Sequence, residues 1–344
     1  MYVGLRQLKS SHTMQYRKFG NTDMLVSEIG FGCWAIGGAA SVGSIAIGWG
    51  ETDDKVSQQA LLAAKDAGIN FFDTADFYGL GHAETLLGNT FGNSDQVLIS
   101  SKVGQKSVNN ERIEIDYSKQ YIIDACEKSL QRLNRETIDF HQLHVARLAH
   151  LQQGECIEAM QLLQQQGKIR YWGISLITFD PFPEADFMFD HSFGDGFQLV
   201  FNIINQRALP IVLRAGEAGF GVIARMPLQF GLLTGKMTAS SQFPADDHRS
   251  RRLVPELIAA TQEILQKKVM HLTEKYQTNL AGLALSFILS FPEVSVVIPG
   301  IRTPEQVAGN TAHLVTLEES DQQYLAALYQ SDWQPVMDMM QQIG

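Results

Sequence analysis

Short apolar runs alternate with amphipathic stretches about eight times along this chain of 344 residues, and no other feature restricts its fold as much. The strand candidates are Ile29–Trp34, Asn70–Thr74, Val97–Lys102, Ile138–His144, Tyr171–Leu176, Phe197–Asn202, Val222–Met226 and Ser295–Pro299. They are rich in Val, Ile and Phe and lack clean polar alternation, the pattern of parallel strands covered on both faces. Helical patterns lie between them over Asp54–Ala67, Gly81–Phe91, Ser118–Leu133, Glu155–Gln166, Arg207–Ala218 and Thr303–His313. Gly68, Gly167 and Gly219 can end such helices in the left-handed conformation. The fifth helical segment has the weakest pattern, because Phe179-Asp-Pro-Phe-Pro183 opens it with two prolines. Repeated βα units in this number read as a closed parallel α/β barrel.

An open doubly wound sheet would want G-x-G-x-x-G after its first strand, and Gly32-Cys-Trp-Ala-Ile-Gly-Gly38 lacks that spacing. Gly231-Leu-Leu-Thr-Gly-Lys236 is one residue too short between its glycines to be a P-loop. Three stretches exceed what a minimal barrel needs. Ala35–Glu51 is rich in Gly and Ser and reads as a long loop over the active-site mouth. Lys236–Leu253 is polar and contains Phe243-Pro-Ala-Asp-Asp-His-Arg249; long loops of this kind are functional lids or disordered. The third is a helix near Leu317–Leu328 with a tail from Ser331 to Gly344. Trp333, Val336, Met337, Met339 and Met340 make that tail apolar, so it is expected to line the substrate pocket or to pack on a neighbouring subunit.

A composition of 45% hydrophobic and 19% charged residues suits a globular chain, long enough to bury a large core without disulfides or metals. A net charge of −10 with no Lys/Arg block argues against nucleic acid or an anionic membrane as partner. The one basic cluster, Arg249-Ser-Arg-Arg252, suits a phosphate or solvent better than a polymer. Cys33, Cys126 and Cys156 are too few and too scattered for a disulfide framework or a zinc site. No Asn-x-Ser/Thr acceptor occurs, and apolar runs stop well short of the roughly 20 residues a membrane helix needs. Residues 1–13 lack the apolar core of a signal peptide. The expectation is a cytoplasmic protein. Residues 1–13 would be a leader, a disordered arm or an alternative start, and residues 14–344 a single barrel domain beginning at Met14-Gln-Tyr-Arg-Lys-Phe-Gly20.

Four short segments carry the chemistry: Asp73-Thr-Ala-Asp-Phe-Tyr78, Ser100-Ser-Lys102, Asp139-Phe-His-Gln-Leu-His144 and Pro299-Gly-Ile-Arg302. The first three end strand-like runs, and barrel sites form at the C-terminal ends of strands. Asp73, Tyr78, Lys102 and His144 are thereby expected in one pocket. Reducing a carbonyl requires a hydride donor and an acid for the forming alkoxide. Tyr78 is the natural acid; its phenol starts near a pKa of about 10, and the Lys102 ammonium is expected to lower it. Asp73 would pair with Lys102, and His144 would position the carbonyl oxygen. Singly each residue is weak: an Asp at a strand end more often caps a helix, a Tyr walls a pocket and a Lys is solvated. The His-x-x-His of His141 and His144 does not suggest a metal, because strand residues three apart point to opposite faces. The order of the set, with its five-residue step from Asp73 to Tyr78, makes the signal specific.

That set resembles the catalytic tetrad of the aldo-keto reductases, over a span from about Tyr16 to Leu314. The resemblance implies a (β/α)8 TIM barrel with long active-site loops and a C-terminal helix and tail. It further implies NADPH/NADP+ as cofactor, no metal and a small-molecule carbonyl substrate. The segment from Val297 to Asn310 is similar to the family's nucleotide-binding segment. Its strand ends at Gly300, and a helix starts after Thr303-Pro304 with its N-terminus free to meet phosphate. By the same resemblance Arg302 pairs with the adenosine 2′-phosphate, and Gln306 and Asn310 face the adenine. Gly32 joins the implied cofactor set, Ser175 and Gln198 hold the nicotinamide carboxamide, and Leu228, Gly231 and Lys236 cover the pyrophosphate. Two departures stand out: Leu176 replaces the usual Asn after Ser175, and Arg225 replaces the aromatic that often stacks on the nicotinamide. An Arg plane can stack on a ring as well. Trp34, Phe77 and Trp49 are expected as apolar substrate walls.

The sequence thus points to an NADPH-dependent oxidoreductase that reduces an aldehyde or ketone. A rival reading is an NADPH-binding regulatory or redox-sensing subunit similar to the potassium-channel β subunits, with little turnover. A barrel lyase or isomerase without nicotinamide leaves Gly300–Asn310 unexplained. The oligomeric state is left open.

Overall fold

A computed structural model describes residues 13–344 except Trp49, Ala239, Ala245, Asp246 and His248. The expected leader, apart from Thr13, and the expected substrate wall Trp49 lie outside the described residues. Eight parallel strands form one sheet in sequential order: β1 (Phe31–Gly32), β2 (Phe71–Asp73), β3 (Leu98–Val103), β4 (Ile138–His144), β5 (Ile169–Ser175), β6 (Gly196–Val200), β7 (Gly221–Arg225) and β8 (Val296–Ile298). The sheet closes on itself: the Gly30 N–H donates to Val297 O at 2.8 Å and the Gly32 N–H to Pro299 O at 3.0 Å. Here glycine is sterically required. A Cβ on Gly32 would lie 2.9 Å from Pro299 O, and one on Gly30 3.0 Å from Phe71 O. All eight expected strands are present, and β4 has the expected bounds residue for residue.

The helices between strands are α1 (Asp54–Asp66), α2 (His82–Phe91), α3 (Lys119–Leu133), α4 (Glu155–Gln165), α5 (Phe182–His191), α6 (Leu209–Ala218), α7 (Leu280–Leu289) and α8 (Pro304–Thr311). Asp53 caps α1 by accepting from the N–H groups of Lys55 and Val56. The weak fifth pattern is a full helix. Its prolines fall at the N-cap and in the first turn, where a missing N–H costs nothing. Helix α7 was not anticipated, because Leu280 and Gly282–Ile288 are all buried and the helix has no polar face. Helices Pro255–Ile264 and Met270–Lys275 precede it.

An antiparallel hairpin, Tyr16–Lys18 with Leu25–Ser27, lies across the N-terminal end of the barrel. Phe19 at its bend is fully buried, 4.9 Å from the Phe140 ring and 6.3 Å from the Phe71 ring. Gly196 and Gly221, which begin β6 and β7, make room for it; a Cβ on Gly221 would stand 2.4 Å from the Phe19 ring. The barrel floor is therefore filled, and the open mouth is at the C-terminal ends. Two further hairpins rim that mouth, Ser41–Val42 with Ile45–Ala46 and Gln105–Val108 with Arg112–Ile115. They meet where the Gly43 N–H donates to Asn110 O at 2.9 Å.

The tail folds onto its own barrel as helix Gln334–Ile343, with Trp333 and Met337 fully buried and Met340 nearly so. Val336, Met337 and Met340 pack within the chain, on the side of the helix that faces the barrel. Met340 and Ile343 line a small cavity with Thr178, Met226 and Gln229. In the basic cluster Arg249 pairs with Asp247 and lies 4.8 Å from the Phe243 ring, while Arg252 lies 5.3 Å from the Phe230 ring. No helix among the described residues is long and apolar enough to cross a membrane.

Candidate active site

Strand register assembles the site. Asp73 ends β2 opposite Ser100 on β3, Lys102 lies opposite Gln142 on β4, and His144 ends β4 opposite Ser175 at the end of β5. Ser175 faces Gln198 on β6, and Arg225 ends β7. Tyr78 is carried back over this group by a tight turn in which Gly79 and Leu80 both take left-handed angles, φ 60° and 53°. A Cβ on Gly79 would lie 2.1 Å from Gly37 O, so the turn presses against the loop after β1.

The Lys102 ammonium, fully buried, donates to Asp73 Oδ2 at 2.6 Å, to the Thr74 carbonyl at 2.7 Å and to the Tyr78 hydroxyl at 3.2 Å. Its three donors are thereby used. The other Asp73 oxygen, Oδ1, accepts from Ser100 Oγ at 3.1 Å, Gln142 Nε2 at 3.2 Å and Gln198 Nε2 at 2.7 Å. A buried ion pair is tolerated only when its remaining lone pairs are filled, and here they are. Ser100 and Gln142 were not anticipated. Ser100 stands two residues before Lys102 and Gln142 two before His144, so each shares the strand face of the residue it precedes.

Burial alone would depress the Lys102 ammonium, but Asp73 and Tyr78 outweigh it and hold the pKa above the ordinary lysine value. For Tyr78 the expected direction is overturned. Burial raises the phenol, Lys102 lowers it by less, and the pKa stands above its ordinary value. Tyr78 is therefore a protonated donor through the neutral range. His144 is driven the other way: burial, then Lys102, then Arg225 hold its pKa well below the usual histidine value. Its ring stands edge-on to Tyr78 with centroids 6.0 Å apart, and its Nδ1 has no partner. A neutral imidazole beside a protonated phenol suits a polar oxygen that must be oriented and then protonated.

Trp34 lies 6.2 Å from the Tyr78 ring, nearly parallel, and its Nε1 donates to Ile47 O at 2.9 Å. Phe77 is almost wholly buried. Gln198 has its amide nitrogen committed to Asp73, and Ser175 is buried beside it. The Arg225 guanidinium is tied to the end of β5 through Leu176 O at 3.0 Å and Thr178 Oγ1 at 3.4 Å, leaving its Nε buried and without a partner. Leu228 packs on the core, Gly231 takes φ 99°, and Lys236 is exposed. At the β8 end a Cβ on Gly300 would meet nothing within 4 Å, so the chain faces open space there. Arg302 Nη2 donates to Glu51 O at 2.5 Å, and the Arg302 N–H donates to Gln306 Oε1 at 2.6 Å. Asn310 is buried in α8. Gly32, at the end of β1, also serves barrel closure through its small size. His141 is fully buried on the outer face of β4, opposite in direction to His144. Among the described residues no group of three or more His, Cys, Asp and Glu is arranged to hold a metal ion.

The fold and site together are a closed parallel barrel with a buried Asp–Lys pair beside a phenol at the C-terminal ends of its strands. The family model for the aldo/keto reductase family matches residues 28–330. The aldo-keto reductase YhdN of Bacillus subtilis is 30% identical over 302 residues, covering 86% of this chain and 87% of that protein. The NADH-specific methylglyoxal reductase of Escherichia coli is 27% identical, covering 88% and 94% of the two chains. A probable voltage-gated potassium channel subunit beta of Oryza sativa is 26% identical, covering 86% and 90%. Among solved structures, aldo-keto reductase AKR11C1 from Bacillus halodurans in its holo form superposes with a TM-score of 0.74 at 27% identity, covering 92% of this chain and 96% of that one. The glycerol dehydrogenase AKR11B4 from Gluconobacter oxydans superposes with the same score, identity and coverage. The chain belongs to the aldo-keto reductase family, whose members are oxidoreductases that use a nicotinamide cofactor.

Proposed function

We propose that this protein is an NADPH-dependent oxidoreductase of the cytoplasm, with residues 14–344 acting as one barrel domain. It reduces an aldehyde or ketone to an alcohol, with Tyr78 as general acid. The observation that carries the reading is the single ammonium of Lys102, held by Asp73 at 2.6 Å and donating to the Tyr78 hydroxyl at 3.2 Å. The Tyr78 oxygen accepts that bond, so its own proton is free to point into the mouth. The neutral His144 imidazole beside it orients the substrate oxygen. As oxygen gains charge, Tyr78 passes its proton to it, and Lys102 stabilises the phenolate left behind. Trp34 and Phe77 wall the apolar side of the substrate.

The residues present fit a phosphorylated dinucleotide. Arg302 and Lys236 supply cations, the N-terminus of α8 supplies backbone donors, and the chain at Gly300 leaves space before them. When bound there, NADPH supplies the hydride. Arg302 would hold the 2′-phosphate, and Gln306 and Asn310 the adenine. Leu228, Gly231 and Lys236 would cover the pyrophosphate, and Arg225, Ser175 and the Oε1 atom of Gln198 the nicotinamide. A second reading, a redox-sensing subunit with little turnover, is supported by the likeness to the Oryza sativa channel subunit. Sustained turnover of an aldehyde panel would exclude it.

Titration of the purified protein with NADPH and with NADH, followed by tryptophan fluorescence and calorimetry, tests the cofactor reading. NADPH should bind more tightly, and Arg302→Ala should weaken it roughly 10- to 100-fold while barely changing NADH, as loss of a charge-assisted phosphate contact implies. Equal losses for both nucleotides would overturn the role of Arg302. Failure to bind either would overturn the reductase and sensor readings together.

A further inference from the structure

We infer that Tyr117 is a positioning residue that sets the imidazole of His144 by clamping the peptide plane on which that residue ends its strand. Tyr117 lies between the second rim hairpin and helix α3, is nearly buried, and donates its hydroxyl to the His144 carbonyl oxygen. On the other edge of the same peptide plane, the Val145 N–H donates to Ser175 O at 3.0 Å. One peptide unit is thus gripped from both sides, by Tyr117 and by the end of β5. Its orientation fixes ψ of His144 and φ of Val145 together.

The consequence is visible at Val145, which takes φ +61°. A β-branched residue in the left-handed region is a true outlier and persists only when its surroundings over-determine it. The Tyr117 ring is itself well seated. Gly104, just beyond β3, has φ +128°, and a Cβ there would lie 2.2 Å from Tyr117 Cε1. The ring also meets the His150 ring, with centroids 4.7 Å apart. Burial pushes the Tyr117 phenol well above its ordinary pKa, so it stays a donor at every working pH. Without the hydroxyl, the strain at Val145 is free to relax by rotating the peptide plane, and His144 turns with it. A glycine at 145 has no such strain to release.

The test needs no substrate and uses the apo protein. Side-chain NMR of the histidines is followed from pH 8 to 5.5, with His144 assigned by its loss in His144→Gln. In the wild type Lys102 on β3 and Arg225 on β7, with burial beneath Tyr78, keep His144 neutral, and its signals should not move. In Tyr117→Phe, which keeps the ring, His144 should swing toward solvent and titrate with a pKa about one unit or more higher. Tyr117→Phe/Val145→Gly should restore the wild-type profile. Val145→Gly alone, with Tyr117 still in place, should keep both the profile and slow hydrogen exchange at residue 145. That arm reads the clamp even where Tyr117→Phe does not fold. An unchanged profile in Tyr117→Phe, no rescue by the double variant, or fast exchange at residue 145 in Val145→Gly would each overturn the inference. The role of His144 in reduction rests on the function proposed above and is scored separately. If His144→Gln still reduces aldehydes while Tyr117→Phe shifts the titration, the role of His144 in reduction fails and the clamp stands.

Discussion

At the scale of single residues the decisive balance is at Tyr78, where burial and a cation act in opposite senses. Sequence reasoning supplied the cation, Lys102, and expected a lowered pKa. The depth of burial was not available to it, and burial is the larger effect. The phenol stays protonated in neutral solution, the state an acid needs, and Lys102 acts against burial to keep that proton transferable. Tyr78→Phe should reduce the rate of carbonyl reduction by about 10²- to 10⁴-fold, the usual worth of a positioned general acid, and leave NADPH affinity almost unchanged. Steady-state kinetics with a parallel binding titration would check both halves. Survival of full activity would remove Tyr78 from the acid role. Asp73, Tyr78, Lys102 and His144 were legible as a set, through their order along the chain and the five-residue step from Asp73 to Tyr78, although each alone has an ordinary structural reading. Ser100 and Gln142 were passed over because their importance lies in the partner they reach, Asp73 on another strand, and not in their own spacing.

At the scale of the element, β4 shows what alternation does. Phe140, Gln142 and His144 face the barrel interior, while His141 turns to the outer layer, with both ring nitrogens buried and unpartnered. Burial holds its pKa down to about 4. The unfolded chain takes up a proton near pH 6.5 and the native His141 only near 4, so this site's contribution is fully present above pH 6.5 and is lost as pH falls toward 4. The full loss is on the order of 3 kcal/mol for a shift of this size. His141→Leu should therefore flatten the acid limb of stability between pH 6.5 and 4, measured by denaturant unfolding at several pH values. An unchanged limb would place the acid sensitivity elsewhere. Helices α5 and α7 mark where periodicity failed, in different ways. Prolines that open α5 read as breakers until their N-terminal position is known. Helix α7 has no polar face, and without contrast between faces there is no period to detect.

For the whole molecule, the two ends of the barrel divide the work. The N-terminal end is filled by Phe19 against Phe71 and Phe140, and the C-terminal end is left open for the site. Phe19→Ala should cost about 3–5 kcal/mol, as large-to-small changes in a rigid core do, yet leave NADPH affinity within about twofold because the floor does not touch the mouth. Thermal unfolding and a binding titration would test this, and a matching loss of affinity would show that floor and mouth are coupled. The amino-acid sequence by itself determined the eight strand-like runs, the order of the tetrad and the family, because each is written in short local segments and in their order along the chain. Only the tertiary structure decided the closure of β1 on β8 through Gly30 and Gly32, the floor made by Phe19, the return of the Met-rich tail to its own barrel, and the direction of the Tyr78 shift. Each of these depends on segments far apart in the chain meeting in space, and on how much water their meeting excludes.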